Sequence, residues 1–195
     1  MSVCMTAEHT TAVPVEEGTQ GIFEKRIRQE RRKKSTLRLC LDLFITAAVV
    51  FLLFSVIAGI AVVQGDSMKP NLTNGSAAVF FRLDHTYRRN DIVIFQPAGK
   101  NELLIKRVAA VAGDKVDIDD KTGTFLVNGA PEQGTPFIGK TFSRSGGVTF
   151  PFTVPNGCVF VLGDNRETAL DSRVIGTVGT DGIIGKIVFE IKTIT

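Results

Sequence analysis

The chain has 195 residues, enough for one modest domain with an appendage, and a formal net charge of +3. That excess is local: Lys25, Arg26, Arg28, Arg31, Arg32, Lys33, Lys34 and Arg38 stand before a long apolar segment, opposed by Glu24, Glu30 and Asp42. A nucleic-acid footprint spreads its cations, with aromatics among them, over a folded surface, so this arrangement argues against nucleic acid and for a membrane.

In chain order, residues 1 to about 21 are polar and aperiodic and read as disordered. Ile22 to Arg38 suits a charged helix, so residues 1–38 form a basic juxtamembrane segment. Leu43 to Val63 carries no charge. As a helix it is about 31 Å long, matching a hydrocarbon core of roughly 30 Å. It is apolar all round, which disfavours a buried amphipathic helix. It also lies too far into the chain for a cleaved leader. A transmembrane helix over residues 39–63 is therefore expected. The basic flank places the N-terminus in the cytoplasm and residues 64–195 outside.

After Gln64 the pattern is β. Ala77 to Phe81, Asp91 to Gln96, Leu103 to Val111, Lys115 to Ile118, Phe125 to Val127, Cys158 to Leu162 and Ile183 to Ile191 are short apolar runs. Gly, Pro, Asn and Asp punctuate them, with turn signals at Asn74-Gly75 and Asn128-Gly129. The predicted fold class is mostly β: a single transmembrane helix, then an antiparallel sheet or barrel-like domain. Residues 130–152, rich in Gly, Ser, Thr and Pro, read as an inserted loop or small subdomain.

Cys4, Cys40 and Cys158 share no short spacing, so neither a metal site of the CxxC kind nor a disulfide framework is written here. The histidines are His9, in the polar tail, and His85, in an Asp-His-Thr turn. A histidine-based triad would have to use one of them, which argues against it.

Three clusters carry chemistry: Gly65-Asp66-Ser67-Met68-Lys69-Pro70, Ile105-Lys106-Arg107-Val108, and Gly163-Asp164-Asn165-Arg166 followed by Asp171-Ser172-Arg173. Ser67 alone is an ordinary turn residue. Four residues past Val63, however, it is expected at the outer membrane surface. Lys106 interrupts an apolar strand, and alternation puts it with Leu104 and Val108, opposite Ile105 and Arg107. On an inner face its ammonium loses hydration and its pKa falls. A neutral amine can then take a proton from a serine hydroxyl. On an edge strand Lys106 would instead snorkel to water.

Together these clusters resemble the type I signal peptidases, the Ser-Lys proteases of bacterial export. The Ser-Met-x-Pro box is matched by Ser67 to Pro70, and an Arg-x-Asp-hydrophobic strand by Arg89-Asn90-Asp91-Ile92. The Lys-Arg-Val box ending in Gly-Asp is matched by Lys106 to Val108 with Gly113-Asp114. The Gly-Asp-Asn-Arg box ending in Asp-Ser-Arg is matched by Gly163 to Arg166 with Asp171 to Arg173. The resemblance implies a membrane-bound endopeptidase that removes signal peptides from exported preproteins, with Ser67 as nucleophile and Lys106 as general base. It implies that the Ser67 N–H holds the oxyanion, with Gly65 beside it where some members carry a serine. Arg107, Asp164, Asp171 and Arg173 are implied as supports of the catalytic strand. Met68, Leu104 and Ile105 are implied as lining for the cleavage-site pockets, although Met68 is nearly as well read as core. Signal peptides, the bilayer and the secretion translocon are the expected partners, with no metal, cofactor or nucleic acid.

The chain departs from the pattern at Gly65, at Ala169 where a serine usually orients the lysine, at Asn71 in place of threonine, and at Ala110 and Ala112 in place of Gly and Pro. Neither the Ser nor the Lys is lost. Two enzymatic alternatives share motifs with this reading: a self-cleaving repressor, which needs a DNA-binding domain and no membrane span, and a peptidase dedicated to pilus subunits. The non-enzymatic alternative is a weak or inactive relative acting as a cargo-specific pilus or secretion assembly factor.

Overall fold

The computed structural model describes residues 17–134 and 136–192. His9, Cys4 and the expected disordered tail up to residue 16 lie outside the described residues.

Helix α1, Glu17–Ile57, is continuous. It begins within the stretch expected to be disordered. Its last part, Thr36–Ile57, is 22 residues long, apolar and exposed in the isolated chain. At 1.5 Å per residue that part measures about 33 Å, long enough to cross a bilayer. The helix does not reach Val63 as the uncharged run suggested. Ala58–Val62 is instead an extended strand, β1. Uncharged composition alone cannot distinguish the two, because an apolar run serves a lipid-facing helix and an extended strand equally well.

The β-rich body has two sheets. The expected strands are present as β2 (Ala77–Phe81), β3 (Ile92–Phe95), β4 (Leu104–Val111), β5 (Lys115–Asp119), β6 (Thr124–Val127), β9 (Cys158–Leu162) and β11 (Ile183–Ile191). Shorter strands β7 (Ala130–Pro131), β8 (Phe152–Thr153) and β10 (Val178–Gly179) join them. The larger sheet runs β1-β2-β11-β3-β4-β9-β10 and the smaller β7-β6-β5-β8, with antiparallel pairing throughout both. At the β6–β7 hairpin Asn128 and Gly129 both take positive φ, 54° and 80°, as a two-residue turn between paired Val127 and Ala130 requires.

Three apolar clusters form the core. One gathers Phe125, Phe150 and Phe152 around Phe160, so that β6 and β8 meet β9 through aromatic contacts, and β5 adds Val116 and Ile118 to the same cluster. Central strand β4 contributes to all three: Ile105 to one, Val108 to another, Ala109 and Ala110 to the third. Ile105 to Ala110 are all buried, so both faces of β4 are interior.

Residues 130–152 run from β7 to the start of β8, and described residues among them bond the rest of the β body. Ile138 bridges to Asn165, Arg144 donates to the carbonyls of Arg166 and Glu167, and Ser143 bonds Asp120.

Candidate active site

Ser67 lies in the turn that follows β1, on a segment pinned at both ends. Val63 N–H donates to Ser76 O, and Asn165 N–H donates to the Ser67 carbonyl at 3.0 Å. Gly163 makes that approach possible. A Cβ there would stand 2.7 Å from Ser67 O and 2.2 Å from Ala169 Cβ, so any larger residue would drive the segments apart. The glycine at the head of the third motif is thus a contact requirement, which the sequence left unexplained.

Lys106 projects from β4 and is 3 % exposed. Its Nζ donates to Ser67 Oγ at 2.9 Å and to the Ile105 carbonyl at 2.9 Å. With the amine neutral, the same contact lets the hydroxyl donate to nitrogen. Desolvation pushes its pKa down to about 8, against the opposing pull of the Asp171, Asp164 and Glu102 carboxylates. At the position expected to carry an orienting hydroxyl, Ala169 is buried and supplies none, and neighbouring Thr168 is exposed. The Ile105 carbonyl takes a second proton of the lysine.

The two motifs around Asp164 and Asp171 carry buried ion pairs. Arg107, next to Lys106, forks onto Asp164, Nε to Oδ1 at 2.8 Å and Nη2 to Oδ2 at 2.6 Å. Asp171 caps the short helix α2, Ser172–Ile175, and takes a two-point bond from Arg173 at 2.9 Å for each oxygen. Asp171 and Arg173 are wholly buried. Asp171 also accepts from Gly163 N–H, and Ser172 Oγ accepts from Val161 N–H, so the Asp-Ser-Arg motif is stitched to β9. Alternation along β4 put Arg107 on the face opposite Lys106, and burial of both faces is why neither cation reaches water.

A cleft of about 640 Å³ opens beside Ser67 and Lys106. Met68, Leu104 and Ile105 line it, with Val63, Phe80 and Ile94 among their neighbours. Met68 also belongs to a buried core cluster. Gly65 takes φ 82° in the turn before Ser67, and its N–H donates to Asn74 Oδ1. The backbone N–H of Ser67 has no partner among the described residues. His85 is exposed and lies within a turn closed by Thr86 N–H donating to Asp84 Oδ1.

Several supports were not foreseen. Arg166 is buried, pairs with Glu132, donates to Thr141 Oγ1 and the Gly163 carbonyl, and lies over the Phe137 ring. Glu132, Phe137 and Thr141 are distant in sequence, so the box that contains Arg166 does not reveal these partners. Arg89 pairs with Asp114, joining the second and third boxes of the sequence. Asn71, which looked like a departure, bonds both Asp164 and the Pro136 carbonyl.

Comparison with known proteins places this chain in a family. Residues 36–192 match the family described as signal peptidase, peptidase S26. Signal peptidase IB of Staphylococcus aureus is 30% identical over 176 residues, 81% of this chain and 90% of that protein. Signal peptidase I of Bacillus caldolyticus is 35% identical over 161 residues, 75% of this chain and 86% of that protein. A crystal structure of a signal peptidase I from Enterococcus faecalis is 26% identical and covers 53% of this chain and 97% of its own, with a TM-score of 0.43. The chain is a peptidase and belongs to the signal peptidase family, peptidase S26.

Proposed function

We propose that this protein is a membrane-anchored endopeptidase that removes signal peptides from exported preproteins with a Ser67–Lys106 dyad. The observation that carries the reading is the 2.9 Å contact between Lys106 Nζ and Ser67 Oγ, made by a desolvated lysine at the edge of an open cleft. The relatives' names as signal peptidases support the substrate class.

The chemistry is acyl transfer. Neutral Lys106 takes the Ser67 hydroxyl proton as Oγ attacks the scissile carbonyl. The Ser67 N–H faces the developing oxyanion, where one donor contributes about 10²–10³ in rate. Collapse breaks the C–N bond, and the Lys106 ammonium returns its proton to the departing amine. Lys106 then takes a proton from water as its oxygen attacks the acyl carbon, and returns that proton to Ser67 Oγ as the ester bond breaks, which releases the acid and restores the neutral amine. Met68, Leu104 and Ile105 receive the small side chains before the bond. Arg107–Asp164 and Arg173–Asp171 hold β4 and β9 in register for the dyad. Helix α1 serves as the anchor, its basic flank facing the cytoplasm and the β body the other side. The lipid bilayer and the secretion translocon are the expected surroundings.

The test is to incubate the full chain in detergent with a preprotein and sequence the new N-terminus. Cleavage after a small-x-small pattern, lost in Ser67→Ala and Lys106→Ala, supports the reading. Cleavage that survives either substitution removes the dyad, and no cleavage by the intact chain removes the activity.

A further inference from the structure

The Asn71 amide joins three segments that share no strand pairing. Its Nδ2 donates to Asp164 Oδ2 at 2.7 Å and to the Pro136 carbonyl at 2.7 Å. Asn71 is itself bound to the nucleophile's turn, because its N–H donates to the Met68 carbonyl. Asp164 is 1 % exposed and takes the Arg107 fork through both oxygens. The next residue, Asn165, donates its N–H to the Ser67 carbonyl. Two closed circuits result. One runs from Ser67 along the turn to Asn71, across to Asp164 and back through Asn165 to Ser67. The other runs from Asp164 through Arg107 to Lys106 and across to Ser67.

We propose that Asn71 is a positioning residue that sets the Ser67 Oγ to Lys106 Nζ distance by tying the nucleophile's turn to the buried Asp164–Arg107 pair. The proposal rests on the dyad reading above and adds to it a residue that touches neither substrate nor reacting atoms. Two features favour this role over ordinary surface bonding. Both donors of one amide are used on acceptors from two different segments, so no rotation of the side chain keeps both. One acceptor is a buried carboxylate, where a charge-assisted bond is strong and directional.

Removing the amide has two consequences. The turn loses its tie to Asp164, so a contact that must be held to a few tenths of an ångström loosens, and misplacement lowers turnover rather than binding. Asp164 also loses a donor, so its negative charge acts more fully on Lys106. The other groups acting on the lysine are Asp171 from the cap of α2, Glu102 before β4 and the hydroxyl of Ser67, with the Arg107 and Arg173 cations held on their carboxylates. Replacing Asn71 removes none of these charged groups; among them only the Ser67 hydroxyl belongs to the turn that Asn71 holds. More negative potential favours the ammonium, so Lys106 neutralises at higher pH.

The experiment measures kcat and KM for a preprotein, from pH 6 to 10, with the full chain in detergent and Asn71→Ala, Asn71→Thr and Lys106→Ala beside it, together with their melting temperatures. For Asn71→Ala the expected result is a fall in kcat of about 10- to 100-fold with KM within about twofold, and an acid limb moved up by about half a pH unit. Asn71→Thr keeps one donor and should recover part of both effects. It also carries the test if the alanine variant does not fold. Unchanged kcat and acid limb, a loss confined to KM, or a loss that follows melting alone would overturn the role of Asn71. If Lys106→Ala cleaves normally, it is the dyad reading that fails, and the two failures are distinguishable.

Discussion

Lys106 Nζ lies 2.9 Å from Ser67 Oγ although the two residues are 39 apart in sequence, and this contact joins a turn after β1 to the interior of central strand β4. Desolvation lowers the pKa of a lysine so placed to about 8, within reach of ordinary assay conditions. Activity through a neutral amine therefore rises with pH. At pH 6, two units below that value, only about 1 % of the enzyme carries the base form. The expected profile climbs roughly tenfold per unit from pH 5 to 7 and flattens above about 8. Initial rates of preprotein cleavage at saturating substrate measure it. A flat acid limb would show that the lysine does not act as a base.

The same burial has a stability signature of opposite use. Unfolded, Lys106 has the ordinary lysine pKa of 10.5, and burial in the fold lowers it to about 8. Between these values the unfolded chain binds more protons, so stability rises as pH climbs through that window and the penalty is full below it. A separation of this size corresponds to about 3 kcal/mol. Lys106→Met keeps the length and removes the charge, while leaving Ser67 Oγ and the Ile105 carbonyl without a partner, at roughly 1–2 kcal/mol. The inactive variant should thus gain about 1–2 kcal/mol at pH 7. The gain should vanish by about pH 10. Urea denaturation at the two pH values measures both.

Much of this site was legible in the sequence because its residues come in short boxes with unusual neighbours. A lysine inside Leu104-Ile105-Lys106 contradicts strand composition, and a contradiction of that kind points to function. Strands β2, β9 and β11 begin and end where their apolar runs do. What could not be read depends on contacts between distant segments. The end of α1 at Ile57 is one case, since Ala58 to Val62 pair with Ala77 to Phe81 and become a strand through tertiary hydrogen bonding. Asn71 is another. In sequence it is a polar residue after a proline, and its partners Pro136 and Asp164 are 65 and 93 residues away. Arg166 is a third, since the Glu132 and Phe137 that hold it lie in a stretch readable only as loop.

Asp171 and Arg173 form a two-point ion pair with no solvent access. Removing one member leaves a bare charge in the interior. Arg173→Met should cost about 3–5 kcal/mol, because Asp171 remains without its counter-ion. Replacing both at once, Asp171→Asn with Arg173→Met, should cost less than the two single changes added together. Denaturant midpoints of the four proteins give the coupling. Additive costs would show that the pair does not act as a unit.

Gly65 adopts φ 82°, and a Cβ built there meets nothing within 4 Å. Space therefore does not demand glycine at this position; backbone conformation does. An L-residue held at positive φ costs about 1 kcal/mol or slightly more. Gly65→Ala and Gly65→Ser should lose similar stability, because neither side chain collides and both share the same backbone penalty. Their catalytic comparison is the informative one. A serine hydroxyl able to reach the oxyanion would make Gly65→Ser about 10²-fold faster than Gly65→Ala. Because a Cβ there meets nothing within 4 Å, no neighbour fixes the rotamer of an added hydroxyl, and the two variants should agree in kcat within about threefold. Parallel melting curves and single-turnover rates decide it. A serine variant more than tenfold faster than the alanine variant would mean that this turn already holds the place for a second oxyanion donor and that the glycine leaves it unfilled.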